Sequence, residues 1–270
     1  MENLTVLKLG GSLLTDKSKP YTLREDVLIS VVQEIRQCLD KGLIGSLIVV
    51  HGVGSFGHPP VIEHRLHKGF QSPDQLLPIS KTQTIVNELR MSITKEFQAA
   101  EIPVNLFHPS SMVVSNKMQM EDYFLDSLRG YLKLGMVILL GGDMIFDRAM
   151  GFSVGSGDQL AGILAKDLGA EHLLFAMDVD GVYDGDPIKD DSAALLTEIS
   201  LREMDEVLRD IDARSGADAS GAMRGKLRSL MPLSDRVEEG LQIALLSMIK
   251  PGRLSALLEG KDIRMTRITH

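Results

Sequence analysis

Short apolar runs alternate along this chain with longer stretches in which apolar positions recur every three or four residues. LTVLKL (residues 4–9), GSLIVV (45–50), IPVNLF (102–107), MVILLGG (136–142), HLLFAM (172–177) and QIALLSM (242–248) are apolar almost throughout. Such runs, without polar alternation, are the pattern of strands covered on both faces, as in a parallel sheet. Between them, Val27, Val31, Ile35 and Leu39 mark one amphipathic helix, and Ile85, Leu89, Ile93 and Phe97 a second. Leu160, Leu164 and Leu168 mark a third. Thr22 and Glu25 stand at the spacing of a capping box before the first of these helices. The alternation predicts an α/β fold, a three-layer αβα sandwich with a largely parallel central sheet. DRAMGFSV (147–154) reads as a hairpin crossing. It divides the chain into an N-terminal lobe, 1–150, and a C-terminal lobe, 151–270, on one continuous sheet.

Composition narrows what such a fold can serve. The 270 residues carry a formal net charge of −8, which excludes a general attraction to nucleic acid or an anionic membrane. An anionic ligand must therefore be met by a few placed cations. The single cysteine, Cys38, excludes an internal disulfide and a zinc site built on cysteine pairs, and fits a reducing cytosol. MENLTVLKLGG lacks the basic start and apolar core of a signal peptide. No apolar run approaches the roughly 20 residues that span a bilayer, so the expectation is a cytoplasmic protein. The absence of tryptophan argues against a stacking platform for bases.

In an open parallel sheet, ligands bind beyond the carboxyl ends of the strands. Five glycine-bearing loops fall there. In LKLGGSLL, Lys8 sits late in the first strand and is followed by Gly10, Gly11 and Ser12. Such glycines let backbone N–H groups approach phosphate oxygens, although a plain strand-to-loop connection uses the same residues. The pattern is neither GxGxxG nor GxxxxGK[ST]. IVVHGVGSFGHPP (48–60) has Gly52, Gly54 and Gly57 within six positions, with Ser55, His51, His58 and two prolines. That is more glycine than a connection requires. In VGSGDQLAGILAKDLG (154–169), Ser156 or Gly157 opens a helix with Asp158 in its first turn, where an acid also serves as a dipole partner. MDVDGVYDGDP (177–187) carries Asp178, Asp180, Asp184 and Asp186 without EF-hand spacing, and reads as a solvated turn between two short strands. In DASGAMRGKL (218–227), Ser220 stands where it caps a helix bearing Lys226 on its second turn. Lysines, glycine amides and a carboxylate around one mouth suit phosphoryl transfer, where a protein mainly positions groups and neutralises spreading charge.

Taken in order, LKLGGS, HGVGSFGHP, the Gly142–Asp143 pair, SGDQL, DVDGVY and GAMRGK resemble the amino acid kinase superfamily over essentially the whole chain. HGVGSFGHP, FSVGSGDQL and the closing TRIT are most similar to the isopentenyl phosphate kinases. The resemblance implies phosphorylation of isopentenyl monophosphate to the diphosphate with ATP and Mg²⁺, a late step of an alternative mevalonate route, by a homodimer. It implies that Lys8 and the Gly10, Gly11 and Ser12 amides hold the ATP phosphates, and that Lys226 reaches the γ-phosphate. Lys17, in TDKSKP, then stabilises the transferring phosphoryl, and Asp158 keeps Lys8 and Lys226 apart and oriented. Gly54, Asp178, Gly181 and Ala222 are implied to border the nucleotide. Val53, Gly54, Ser55, His58 and Gly157 are implied to hold the acceptor, Ser55 through a helix amide end and His58 as a protonated donor. The metal is held mainly by the phosphates, with no protein ligand set, and an ionised phosphate acceptor needs no general base.

Without the resemblance, Lys17 reads as a solvated loop lysine, His58 as a helix-face histidine bonded to backbone, and His51 as structural. Val53 replaces the glycine or alanine usual in relatives, Met177 a common threonine, and Gly142 a frequent tyrosine. Phe70, Leu76, Leu77 and Ile79 are either a pocket for a prenyl tail or ordinary helix core. The competing readings are a fosfomycin-phosphorylating kinase, a non-catalytic binding protein on the same fold, and a Rossmann dehydrogenase. The retained Lys8, Lys17, Asp158 and Lys226 argue against the second, and the missing GxGxxG against the third.

Overall fold

The computed structural model describes residues 3–187, 189–219 and 221–270, with side chains at 212–222 excepted. Its strands are β1 (Leu4–Leu9), β2 (Ser46–His51), β3 (Val104–Leu106), β4 (Val113–Asn116), β5 (Gln119–Tyr123), β6 (Val137–Gly141) and β7 (Asp143–Asp147). They continue with β8 (Gly151–Gly155), β9 (His172–Met177), β10 (Val182–Tyr183), β11 (Leu195–Leu196), β12 (Glu198–Ser200), β13 (Gln242–Ser247) and β14 (Met265–Thr269). The helices are α1 (Gly11–Leu14), α2 (Glu25–Asp40), α3 (Gly54–Glu63), α4 (Leu76–Ala99) and α5 (Asp126–Lys133). After them come α6 (Gly157–Asp167), α7 (Met204–Ala219), α8 (Gly221–Leu230), α9 (Ser234–Glu238) and α10 (Arg253–Leu258).

All six apolar runs become strands of one sheet, ordered β12-β14-β13-β9-β1-β2-β6-β3. Pairing is parallel from β13 through β3, and β14 runs antiparallel to β13. Both faces are buried, and the strand period of two sorts the side chains between two helix layers. Leu4 and Val6 join Ile48, Val50, Phe175 and Leu245 under Leu160, Leu164 and Leu227. Leu7 and Leu9 join Leu47, Val49, Leu174 and Leu246 under Ile35, Leu89, Phe97 and Leu254. The order also places β1 between β2 and β9, so the carboxyl ends of these three strands lie side by side.

A second sheet, β5-β4-β7-β8, is built from two hairpins. The turn after β7 is the predicted crossing at Asp147. Fully buried, Asp147 accepts N–H bonds from Ala149 and Met150 in its own turn, at 3.0 and 2.9 Å. It also accepts from Lys117 and Met118 at 3.1 and 2.8 Å, at the tip of the β4–β5 hairpin. Those two residues have φ of 50° and 67°, the left-handed pair that a tight hairpin turn demands. One carboxylate thus fastens two hairpin tips together.

Some expectations are corrected. The capping box before α2 does not form: the Thr22 hydroxyl donates to Pro20 O at 3.0 Å, and Leu23 bridges Thr15 instead. Glu25 and Asp26 complement the helix dipole in its place. Phe70, Leu76 and Leu77 are neither pocket nor core but exposed, while Ile79 packs on a small core of Leu66, Met144 and Phe152. Ser220 lies outside the described residues. Among the described residues no helix is long and apolar enough to cross a membrane.

Burial raises the Asp147 pKa, but the four N–H donors outweigh it and hold the carboxyl below its ordinary value. The stability it contributes is therefore present above the unfolded value of about 3.9 and lost as pH falls through the lower folded value. Asp147→Ala should cost about 2–3 kcal/mol at neutral pH, read as a lower urea midpoint, and the difference from wild type should shrink in acid.

Candidate active site

Lys8 shares its face of β1 with Leu4 and Val6, and α6 covers that face. Strand register therefore delivers its ammonium to the first turn of α6, 2.8 Å from Asp158 Oδ1. Lys226, from α8, reaches the same oxygen at 2.9 Å, with its Nζ 4.8 Å from the centre of the Phe175 ring. Ser156 caps α6 by accepting the Gln159 N–H at 3.4 Å. Both lysines are only 7% exposed, so one carboxylate compensates two buried ammoniums. Burial opposes ionisation of Asp158, and the two ammoniums overcome it, taking the carboxyl to about 2. Burial, and then the neighbouring charge of Lys8, pull Lys226 down to about 7 against the attraction of Asp158.

The loops after β1 and β2 touch through their backbones. A Cβ on Gly11 would lie 2.6 Å from the Gly54 nitrogen, and one on Gly52 2.6 Å from the Gly11 nitrogen. Gly54 itself has a φ of 46°. The amides of Gly11, Ser12, Val53 and Gly54 are donated to no acceptor among the described residues, which leaves a cluster of donors fit for an anion. The Gly10 amide is not one of them, because it donates to Ala176 O at 2.8 Å and ties β1 to β9.

Ser55 corrects its sequence assignment. Its amide donates to Thr15 Oγ1 at 2.9 Å, its hydroxyl accepts the Thr22 N–H at 3.2 Å, and its carbonyl accepts the Tyr21 N–H at 3.2 Å. The last bond exists because Pro59, four residues on, has no N–H to offer that carbonyl. Ser55 is thus the post to which the Lys17 loop is tied, not a ligand for substrate. Lys17 itself is exposed at the cavity wall. Partial burial, and then the charges of Lys17 and Lys8, push the His58 imidazole below its ordinary value. The protein alone therefore disfavours the charged form of His58, and the protonated donor implied by the resemblance requires an adjoining anion.

On the opposite wall, the Ser12 hydroxyl donates to Asp178 Oδ1 at 2.9 Å. Gly181 packs against the buried Thr266, whose Oγ1 accepts the Val182 N–H at 2.7 Å and donates to Leu196 O at 2.6 Å. The closing TRIT segment thereby stitches the DGVY turn to the sheet. These loops enclose a cavity of about 1240 Å³. Lys8, Gly10, Gly11, Ser12, Lys17, Val53, Gly54, His58, Gly157, Asp158, Asp178, Gly181 and Lys226 all border it, and Ser55 does not. Ala222 lies in α8, but its side chain is outside the described residues.

Val61, Val154 and Met118 supply apolar lining, and Val53 wedges between Gly57 and Gly142, where added Cβ atoms would lie 2.4 and 3.0 Å from it. Sequence reasoning missed Thr15, Lys117 and Gln119. Nothing local marks Thr15, whose role depends on α3. Lys117 and Gln119 reach the mouth only because Asp147 holds their hairpin there, and Gln119 Oε1 accepts from Gln159 Nε2 at 2.7 Å, joining that tip to α6. A second cavity, about 230 Å³, lies at the far edge beside Arg36 and Asp40, already paired at 2.9 Å.

Residues 3–243 match the amino acid kinase family. The isopentenyl phosphate kinase of Methanothermobacter thermautotrophicus is 33% identical over 98% of this chain and 99% of its own. That of Methanocaldococcus jannaschii is 31% identical over 83% of this chain and 85% of its own. A solved isopentenyl phosphate kinase superposes with a TM-score of 0.83 at 31% identity, covering 98% of this chain and all of that one. UMP kinase from Ureaplasma parvum, 14% identical over the full length of both chains, shares the fold at a TM-score of 0.65.

Asp158→Asn leaves two buried ammoniums without a counter-charge. It should lower stability by about 3–5 kcal/mol, seen as a drop in melting temperature that Lys226→Met in the same chain partly reverses.

Proposed function

This chain belongs to the amino acid kinase family, and we propose that it transfers the γ-phosphoryl group of ATP to isopentenyl phosphate, forming isopentenyl diphosphate and ADP. The observation that carries this reading is the pair of buried lysines on one Asp158 oxygen, in the same cavity as the unengaged Gly11, Ser12 and Gly54 amides, Lys17 and His58. The relatives with the same extent of chain support the choice of acceptor.

In this reading Lys8, Lys226 and the Gly11 and Ser12 amides hold the nucleotide phosphates. Lys17 meets the phosphoryl in transfer, and His58 donates an N–H to the phosphate of the acceptor. An oxygen of that phosphate attacks the γ-phosphorus in line as the bond to the β-phosphate oxygen breaks. No proton has to be removed, which suits a cavity in which the partly buried Asp158 is held ionised by two lysines. The prenyl tail lies against Val53, Val61, Val154 and Met118. Among the described residues no three histidine, cysteine or acidic side chains can hold a metal ion, and we assign Mg²⁺ to the phosphates. We further assign acceptor binding mainly to residues 1–150 and ATP binding mainly to 151–270, and take the enzyme to be a cytoplasmic homodimer. A fosfomycin kinase is not favoured, because the relatives that match most of the chain at over 30% identity are isopentenyl phosphate kinases.

ADP release measured with isopentenyl phosphate, dimethylallyl phosphate, fosfomycin and acidic amino acids should show turnover on the prenyl phosphates. Turnover confined to fosfomycin or a carboxylate rejects the proposal. Lys17→Ala and Lys226→Ala should each lower kcat by about 10²–10³-fold while the fold, by circular dichroism, is retained. Because Lys226 in the free enzyme loses its proton near 7, kcat/KM for ATP should fall as pH rises through about 7. The limb in kcat should sit higher, since bound phosphates favour the ammonium.

A further inference from the structure

Arg90, on α4, is fully buried, yet it makes no ion pair among the described residues. Every hydrogen bond of its guanidinium is to a neutral group, and the charge of Asp143 favours its ionised form without a hydrogen bond to it. Nε donates to His51 Nε2 at 3.1 Å, and Nη1 to Asn87 Oδ1 at 2.8 Å. Nη1 also lies 2.9 Å from His108 Nδ1, and Nη2 donates to Gly142 O at 3.2 Å. A buried guanidinium is costly to keep, and a core methionine would fill the same volume without that cost.

What the fork joins is informative. His51 ends β2, Gly142 follows β6, and His108 follows β3, so one planar group holds the carboxyl ends of three neighbouring strands. Because His51 Nε2 accepts from Arg90, its proton sits on Nδ1, which lies 3.2 Å from Gly52 O. Burial, and then the charge of Arg90, keep His51 neutral, down to about 3. The Gly142 amide returns to His51 O at 3.2 Å and closes the network. Gly52 and Gly142 both border the cavity, and Gly52 leads directly into Val53 and Gly54.

We propose that Arg90 is a positioning residue for phosphoryl transfer: through His51 and Gly142 it sets the backbone of the acceptor-side loop without itself touching substrate. The inference rests on the proposed function, in which Val53, Gly54 and His58 hold the acceptor. The guanidinium geometry is required as well as the charge, because an ammonium cannot reach two strand ends at once. A displacement of about 1 Å in a reacting group costs on the order of 10²-fold in rate. Among the described residues, the loops assigned to the nucleotide on β9, α6 and α8 make no hydrogen bond to Arg90.

The test is steady-state kinetics of Arg90→Met and Arg90→Lys with isopentenyl phosphate and ATP varied separately, together with ¹⁵N NMR of the His51 imidazole. The expected result is a loss of about 10²-fold in kcat/KM for the acceptor in Arg90→Met and about tenfold in Arg90→Lys, with the KM for ATP within about twofold of wild type. The His51 signal, fixed as the Nδ1–H form in wild type, should become a mixture of tautomers in both variants. Equal losses for both substrates, or no loss for either, overturn the inference, as does an unchanged His51 signal. If Arg90→Met does not fold, Arg90→Lys decides by the same criteria. Wild-type protein inactive on isopentenyl phosphate overturns the proposed function instead, and Arg90 is then judged on the His51 signal alone.

Discussion

A single carboxylate oxygen shared by two buried ammoniums is the interaction on which the rest of the site depends. Lys8 and Lys226 come from opposite ends of the chain, and their mutual repulsion would separate them if Asp158 did not lie between them. The carboxylate is kept ionised by the charges it holds apart, and the ammonium of Lys226 is weakened, its pKa taken down to about 7. Such an arrangement is poorly satisfied by protein alone: two positive charges face one negative. The deficit is what an anion with several negative oxygens would relieve, so the electrostatic strain of the site and the nucleotide binding proposed for it have one cause.

Backbone contact is the second constraint. The loops after β1 and β2 approach until Cα packs on amide nitrogen, which removes any room for a side chain at Gly11 and Gly52. Their unengaged N–H groups are thereby brought into one small region. The loop carrying Lys17 has no regular structure of its own to place it. It borrows position from Ser55, whose three polar groups are all spent on it, and from the N–H that Pro59 lacks. Asp147 and Arg90 do comparable work elsewhere, one fastening hairpin tips with an anion, the other fastening strand ends with a cation. In each case a buried charged group collects polar groups that are distant in sequence, backbone amides for Asp147 and mainly side chains for Arg90, and its desolvation is offset by several hydrogen bonds at once.

Much of this architecture was legible in the chain. Six apolar runs identified six strands of the eight-stranded sheet, missing β12 and β14, and their unbroken apolarity identified them as doubly covered. The periodic stripes identified α2, α4 and α6. Lys8, the Gly-Gly-Ser turn and Asp158 were legible as groups at element ends, whereas Lys226 lies in the middle of α8, and the roles of all of them were implied only by the resemblance to the amino acid kinase superfamily. The capping box at Thr22 failed because its hydroxyl turns to Pro20 O and its N–H to Ser55 at the start of α3. Ser55 was misassigned for the same reason: a serine at a helix start looks the same whether its amide meets an anion or a threonine forty residues away. His58 was expected to carry charge beside a phosphate, and residue type does not reveal that partial burial and two lysines act against its proton in the protein alone.

The sequence by itself determined which segments are strands and helices, which residues can carry charge to a strand end, and where a side chain is forbidden. These follow from local periodicity and from the conformational freedom of glycine, which act within a few residues. Tertiary structure alone decided that two lysines share one oxygen, that Arg90 is buried among neutral hydrogen-bond partners, and that the β4–β5 tip reaches the cavity mouth. Those outcomes depend on strand order and register, which bring together residues tens to hundreds of positions apart. No pattern within a single element encodes which neighbour it will meet.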